Sequence, residues 1–283
     1  MKMRFGFHIG IGGGFAAAAE RAKALRCETM QVFSANPRGW AAKEIDPTDA
    51  ETFRRKCKLY DIQPVVVHMP YLPNLATHKK DIFKKSVEVL KRELGRAEIL
   101  GAQFLVTHVG KRQELALQDA LKQVAEAVSE AISDVKNSVM VLLENTAGQG
   151  SEVGNTLEEL AQILEHLEGH RRVGFCWDTA HGFEAGYDFR TKQKLDELVR
   201  LLDEYLGFER IKVLHLNDSK TPCCSRVDRH WHIGQGEIGE EAFKLLFAHP
   251  AFADIPAIME TPKKNPDDDV RNMETCLRLS GRR

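Results

Sequence analysis

Residues 171–181 read Arg-Arg-Val-Gly-Phe-Cys-Trp-Asp-Thr-Ala-His, and the order of those side chains decides how the chain is built. Val173, Phe175, Cys176 and Trp177 make a short apolar run suited to a buried strand, with Asp178 and His181 just behind it. A carboxylate and an imidazole so placed can both reach the space above a parallel sheet. An Asp there can equally cap the next turn, so the stretch alone leaves both roles open. Its repetition elsewhere in the chain favours a shared site.

Short apolar runs alternate with helix-period segments throughout. The runs fall at 4–9, 29–34, 64–68, 104–108, 139–144, 173–178, 211–216 and 257–260. Helical spacing covers 14–25, 49–60, 80–100, 115–135, 157–167, 192–206, 240–247 and 270–279. Thr48 with Glu51, and Thr156 with Glu159, fit capping boxes. Val65, Val66 and Val67 are apolar at successive positions, as are residues 139–143, which suits strands covered on both faces of a parallel sheet. Strict strand–helix alternation, eight times over, predicts a single closed (β/α)8 TIM barrel, and 283 residues suit a fold that takes about 250. No linker, low-complexity tract or charge block divides the sequence, so one domain over 1–283 is expected.

Forty Lys and Arg against 41 Asp and Glu leave a formal charge of −1, so there is no bulk basic field. Any nucleic-acid binding must come from a local patch. The six cysteines (27, 57, 176, 223, 224 and 276) include no C-x-x-C pair and read as reduced thiols. The N-terminal Met-Lys-Met-Arg-Phe-Gly turns Gly-rich before a signal sequence could form, and no apolar run approaches the ~18 residues of a membrane span. A soluble intracellular protein is expected.

Barrels of this class carry their active sites at the C-terminal ends of the strands. There the sequence puts His68, His108, Glu144, Asp178 with His181, His215 and Glu260, and the loop after the seventh strand adds Asp228 and His230. Nine titratable groups in one cavity cannot all stay bare, because carboxylates repel one another and buried imidazoles need partners. Divalent cations resolve both problems. A mixed imidazole–carboxylate set suits zinc or manganese better than calcium or magnesium, and nine side chains exceed what one ion takes. His8, ending the first run, and His232, beside Trp231, are candidates to support the ligands from behind or to touch substrate. His78, His166, His170 and His249 read as solvated surface residues.

Three long segments carry a resemblance: Leu-Leu-Glu-Asn-Thr-Ala-Gly-Gln-Gly-Ser-Glu-Val-Gly (142–154), Gly-Phe-Cys-Trp-Asp-Thr-Ala-His-Gly-Phe-Glu-Ala-Gly-Tyr-Asp (174–188), and His-Leu-Asn-Asp-Ser-Lys (215–220) followed by 225–239. With them the chain resembles, nearly end to end, the endonuclease IV family of zinc-dependent apurinic/apyrimidinic endonucleases, which are xylose-isomerase-like TIM barrels. The resemblance implies three zinc ions. His68, His108 and Glu144 would hold the first; Glu144, Asp178, His215 and Glu260 the second; His181, Asp228 and His230 the third. Glu144, Asp178 and Glu260 would be the catalytic carboxylates.

The implied reaction is hydrolysis of the phosphodiester 5′ to an abasic site in duplex DNA, with trimming of blocked 3′ ends. Arg38, Tyr71 and Leu72 match the family's DNA-binding loops. Pro37, Lys111, Trp231 and Gln235 depart from its usual pattern and bear on substrate preference rather than on reaction type. A monomer acting in a bacterial or archaeal cytoplasm, at the nucleoid, is expected. Two rivals remain: a sugar isomerase or epimerase on the same barrel, and a non-catalytic protein that binds damaged DNA or metal.

Overall fold

A computed structural model describes residues 2–282. Its strands are β1 (Phe5–His8), β2 (Thr29–Phe33), β3 (Val65–His68), β4 (Phe104–His108), β5 (Met140–Glu144), β6 (Val173–Asp178), β7 (Ile211–His215), β8 (Asp218–Ser219), β9 (His230–Trp231) and β10 (Ala257–Met259). The helices are α1 (Phe15–Ala24), α2 (Pro47–Leu59), α3 (Lys80–Ile99), α4 (Leu117–Asp134), α5 (Leu157–His166), α6 (Thr179–Ala185), α7 (Lys192–Leu206), α8 (Glu240–Ala248) and α9 (Asp268–Leu279).

Eight strands close into a barrel in the order β1–β10–β7–β6–β5–β4–β3–β2, every pairing parallel. Alternation along each strand separates two cores. Val65 and Val67 face the large cluster shared with the helices, whereas Val66 points to the axis. There it joins Val106, Leu142, Cys176, Val213 and Ile258, one residue from each of six strands, in a dry layer. Apolar residues at successive positions were therefore the signature of a sheet buried on both sides. Among the described residues, no helix is long and apolar enough to cross a membrane.

The expected elements form, with three differences. First, the Thr48–Glu51 capping box does not: Asp46 accepts the amides of Thr48 and Asp49, and α2 starts at Pro47, where the missing N–H costs nothing. At α5 the cap does form, Thr156 accepting the Glu159 amide while the Glu159 carboxylate accepts that of Gly154 at 2.6 Å. Second, a one-to-two-turn helix, α6, follows β6 directly; Gly186, at φ 119°, ends it. Third, β8 and β9 pair antiparallel (Asp218 with Trp231, Ser219 with His230) and fold the long β7 loop back over the rim. Two-residue strands carry too little periodicity to be read in advance.

The barrel closes tightly at β1. A Cβ on Gly6 would lie 1.9 Å from the Thr29 carbonyl oxygen, an atom of the adjacent strand, whereas a Cβ on Gly95 of α3 would meet nothing within 4 Å. Gly6→Ala should therefore cost about 2–4 kcal/mol and lower Tm by roughly 5–10 °C, while Gly95→Ala should leave stability unchanged or raise it by up to about 1 kcal/mol. Thermal unfolding of the two variants checks both.

Candidate metal centre

Each axis-facing residue of the dry layer is followed, two positions on, by a titratable one: Val66 by His68, Val106 by His108, Leu142 by Glu144, Cys176 by Asp178, Val213 by His215, and Ile258 by Glu260. Six strands thus aim six such groups at one rim. Helix α6 adds His181, and the β8–β9 return adds Asp228 and His230. Ligating atoms gather within 4.8 Å of one another in three groups: His68, His108 and Glu144; Glu144, Asp178, His215 and Glu260; and Asp178, His181 and His230. Asp228 Oδ1 stands beside the third, 3.5 Å from His181 Nε2 and 3.7 Å from His230 Nε2.

Glu144 and Asp178 belong to two groups each. Glu144 Oε2 faces His68 Nε2 at 3.2 Å and His108 Nε2 at 3.7 Å, and its Oε1 faces His215 Nδ1 at 2.8 Å. Asp178 Oδ1 accepts the His181 amide at 2.9 Å, so this residue does cap the following turn, while Oδ2 lies 3.5 Å from His230 Nε2. Both roles that the sequence left open are filled, one by each oxygen.

Hydrogen bonds behind the rim set which imidazole nitrogen stays bare. His68 Nδ1 donates to the Met69 carbonyl at 2.7 Å and His181 Nδ1 to the Asn145 carbonyl at 3.0 Å, with His230 Nδ1 aimed at the Glu260 carbonyl at 3.4 Å. A carbonyl only accepts, so in the neutral rings the proton sits on Nδ1 and Nε2 is a lone pair. Two such lone pairs, on His181 and His230, then face each other at 3.3 Å. The lone pair of His68 likewise faces a carboxylate oxygen. Acceptors pointed at acceptors repel unless a cation lies between them, so the donor set fits divalent metal ions.

The same crowding shifts acidities. Burial would raise the Glu144 carboxyl, but the His108 and His215 imidazoles outweigh it and hold it well below the usual range. Burial likewise opposes charge on His181, yet Asp178 and Asp228 push that imidazole well above its ordinary value. At His215 burial is overcome by Cys176, Glu260 and Glu144. Without metal, then, protons take the place of cations.

The family model for xylose isomerase-like TIM barrels matches residues 19–278. A protein named probable endonuclease 4 from Methanoculleus marisnigri is 42% identical over 277 residues, covering 98% of each chain. The crystal structure of endonuclease IV from Thermus thermophilus superposes with a TM-score of 0.87 at 34% identity, again over 98% of each. The chain belongs to the endonuclease IV family. A D-tagatose 3-epimerase-like protein, 20% identical with a TM-score of 0.74 over 98% and 97% of the two chains, shares the barrel alone.

In this endonuclease IV family member, an endonuclease and so a hydrolase, the loops after β2 and β3 touch: the Tyr71 amide donates to the Pro37 carbonyl at 3.2 Å. Arg38 is exposed on the first loop, and Tyr71 and Leu72, 56% and 41% exposed, stand on the second. The Tyr71 ring lies 5.7 Å from that of His68 and 6.0 Å from that of His108. Tyr71 and Leu72, together with Lys111, Thr146 and Asp228, border a cleft of ≈ 370 Å³ beside the first group. Lys111 pairs with Glu152 at 3.2 Å.

His8 does reach the rim, its Nδ1 3.1 Å from Glu260 Oε1. His232 does not; it turns to Asn272 of α9 at 3.1 Å. The surface reading of four histidines holds for two: His78 and His249 are half-buried, and His249 accepts the Ala251 amide. Three buried amides escaped the sequence reading. Asn145 holds the Asp178 backbone at both ends, Asn217 donates to Asp178 Oδ2 at 2.7 Å and accepts the Glu260 amide at 2.8 Å, and Gln31 lies among Glu260, His8 and His215. Asn145 directly follows a titratable strand end and Asn217 lies two residues beyond one, and that adjacency is the signal that would have found them.

Raised imidazole pKa values give a pH signature. His181 and His215 must lose a proton to ligate, and their pKa values lie above the ordinary one, so protons still compete at neutrality. Apparent zinc affinity of the metal-free protein should keep rising as the pH passes above the ordinary imidazole value of about 6.5, by up to roughly tenfold per unit for each proton released. Chelator-competition titrations check this; an affinity flat above neutrality would contradict it.

Proposed function

We propose that the chain is a DNA-repair endonuclease that hydrolyses the phosphodiester 5′ to an abasic nucleotide in duplex DNA, leaving a 3′-hydroxyl and a 5′-deoxyribose phosphate, and that also trims blocked 3′ ends. The observation that carries this reading is the meeting of nine imidazoles and carboxylates on one rim, beside two exposed apolar side chains and an arginine. We assign the rim to three zinc ions: one to His68, His108 and Glu144, one to Glu144, Asp178, His215 and Glu260, and one to His181, Asp228 and His230. Bound there, zinc lowers the pKa of water to roughly 7 and offsets charge on a phosphoryl group.

The protein's own contribution is placement. Glu144 presents one oxygen to the pair His68 and His108 and the other to His215, so it would serve both the first and the second zinc. Asp178 turns Oδ2 towards His230 while its other oxygen accepts the His181 amide of α6. The dry layer beneath excludes water from below, which strengthens every charge interaction above it. No lysine lies among the strand-end groups, so the rim does not suggest a Schiff-base lyase route.

Substrate choice follows from deformability. An abasic nucleotide lacks most of the stacking that resists leaving the helix, whereas an intact base costs a few kcal/mol to extrude. Tyr71 and Leu72 are placed to fill the resulting gap, with Arg38 alongside to engage the backbone. The isomerase or epimerase alternative has no use for the group of His181, Asp228 and His230.

A duplex carrying one tetrahydrofuran abasic analogue should be nicked in the presence of zinc, not nicked with a chelator, and nicked again on restoring zinc. Binding without nicking would leave only a damage-binding protein, and well under two zinc ions per chain would favour the epimerase. Glu144→Ala should lose both metal and nicking; more than about a tenth of wild-type activity would contradict its bridging role. Arg38→Ala should weaken binding to abasic duplex by about 1–3 kcal/mol with zinc content unchanged, by fluorescence anisotropy and metal analysis.

A further inference from the structure

We propose that Gln31 is a positioning residue, which holds His215 in the tautomer able to ligate through Nδ1 and braces Glu260 beside it. The inference rests on the metal-centre reading above. Gln31 is fully buried on β2, and β2 contributes no member to any of the three groups. Its side chain nevertheless ends among them.

The orientation of the amide is dictated by its surroundings. Glu260 Oε1, 2.7 Å from Gln31 Nε2, belongs to a carboxylate and can only accept, so the nitrogen must face it. That turns Gln31 Oε1 to His215 Nε2 at 2.9 Å. An amide oxygen cannot donate, so His215 Nε2 must carry the proton. A neutral imidazole has only one, which leaves Nδ1 bare. Nδ1 points at Glu144 Oε1, 2.8 Å away, and Glu260 Oε2, 3.3 Å away, where a shared cation would sit. The second amide hydrogen of Gln31 reaches His8 Nδ1 at 2.9 Å. One β2 side chain thus ties together groups from β1 and β7 and from the residue just past β10.

His215 differs here from three other rim histidines. His68, His181 and His230 have their protons fixed by backbone carbonyls, which no substitution removes. His215 relies on a side chain, so its tautomer can be released by one mutation. Gln31→Met keeps the length and removes acceptor and donors together. Gln31→Glu keeps an acceptor for His215 Nε2–H and removes the donors to Glu260 and His8.

The test reads metal and tautomer rather than turnover. Zinc is titrated into metal-free wild type and both variants against a chromophoric chelator, and long-range 1H–15N spectra report the His215 ring. In Gln31→Met, one zinc should bind about 10–100-fold more weakly while the others keep wild-type affinity, and the metal-free ring, read at a pH high enough to make it neutral, should show mixed tautomers. Gln31→Glu should retain the wild-type Nε2–H signature. Thermal unfolding of the metal-free variants separates this from misfolding: Gln31→Glu, if folded, carries the tautomer test alone. Wild type that binds no zinc would sink the metal-centre reading itself. Wild type that binds zinc fully, with Gln31→Met matching it in affinity and ring signature, would overturn only the role of Gln31.

Discussion

A parallel strand in a closed barrel offers alternate residues to the axis, and this period of two governs both the stability and the chemistry of the molecule. Val66, Val106, Leu142, Cys176, Val213 and Ile258 use one axis-facing position to seal the interior. The next axis-facing position on the same strands holds His68, His108, Glu144, Asp178, His215 and Glu260. The spacing between those groups is set by barrel closure, so it is as rigid as the fold. A slip of one residue on any of these strands would exchange a rim group for an outward-facing neighbour. The sealed layer also denies the carboxylates any solvent from beneath, so their charge must be met by whatever enters from above.

Burying Glu144 and Asp178 completely, within reach of several imidazoles, costs stability unless cations or protons offset the charge. The supporting hydrogen bonds show which the rim is shaped for. Had protons been the intended partners, imidazole N–H groups would be aimed at the carboxylates. Instead the backbone carbonyls of Met69, Asn145 and Glu260 draw the protons of His68, His181 and His230 to the far side, leaving lone pairs converging on the centre. Much of this support comes from residues adjacent in sequence to rim groups. The strand ends therefore carry both parts in a few contiguous residues, and long motifs such as 142–154 and 174–188 stay together as units.

How far the sequence revealed this follows from range. Strand–helix alternation and doubly buried strands depend on local pattern, so the barrel and its eight long helices could be read, to within a residue or two at most boundaries. Six rim groups could be named because each ends an apolar run. What escaped depends on pairing across the fold. Gln31 looks like a polar interruption in β2 until closure brings His215 and Glu260 within reach across the barrel mouth. The β8–β9 ladder is two residues a side, and its partners are separated by a loop with no periodicity of its own. At the start of α2, Asp46 outcompetes Thr48 because a carboxylate accepts amides more strongly than a hydroxyl and Pro47 needs no partner. The carboxylate that meets His8 was hidden because Glu260 is distant in sequence and adjacent only across the β1–β10 seam.

The barrel itself is shared with an epimerase-like protein of low identity. Two small elements complete the rim in this chain. Helix α6 turns the chain at once after β6 and delivers His181 beneath its own cap, and the β8–β9 return delivers His230 opposite it, 3.3 Å away. Glu184, on α6, accepts the Ser219 hydroxyl at 2.6 Å and the Arg229 amide at 3.1 Å, so the helix and the return are fastened to each other as well as to the barrel. The third group is in this sense a single attachment laid on a common scaffold, and it extends the rim outward towards the exposed loops that carry Arg38, Tyr71 and Leu72.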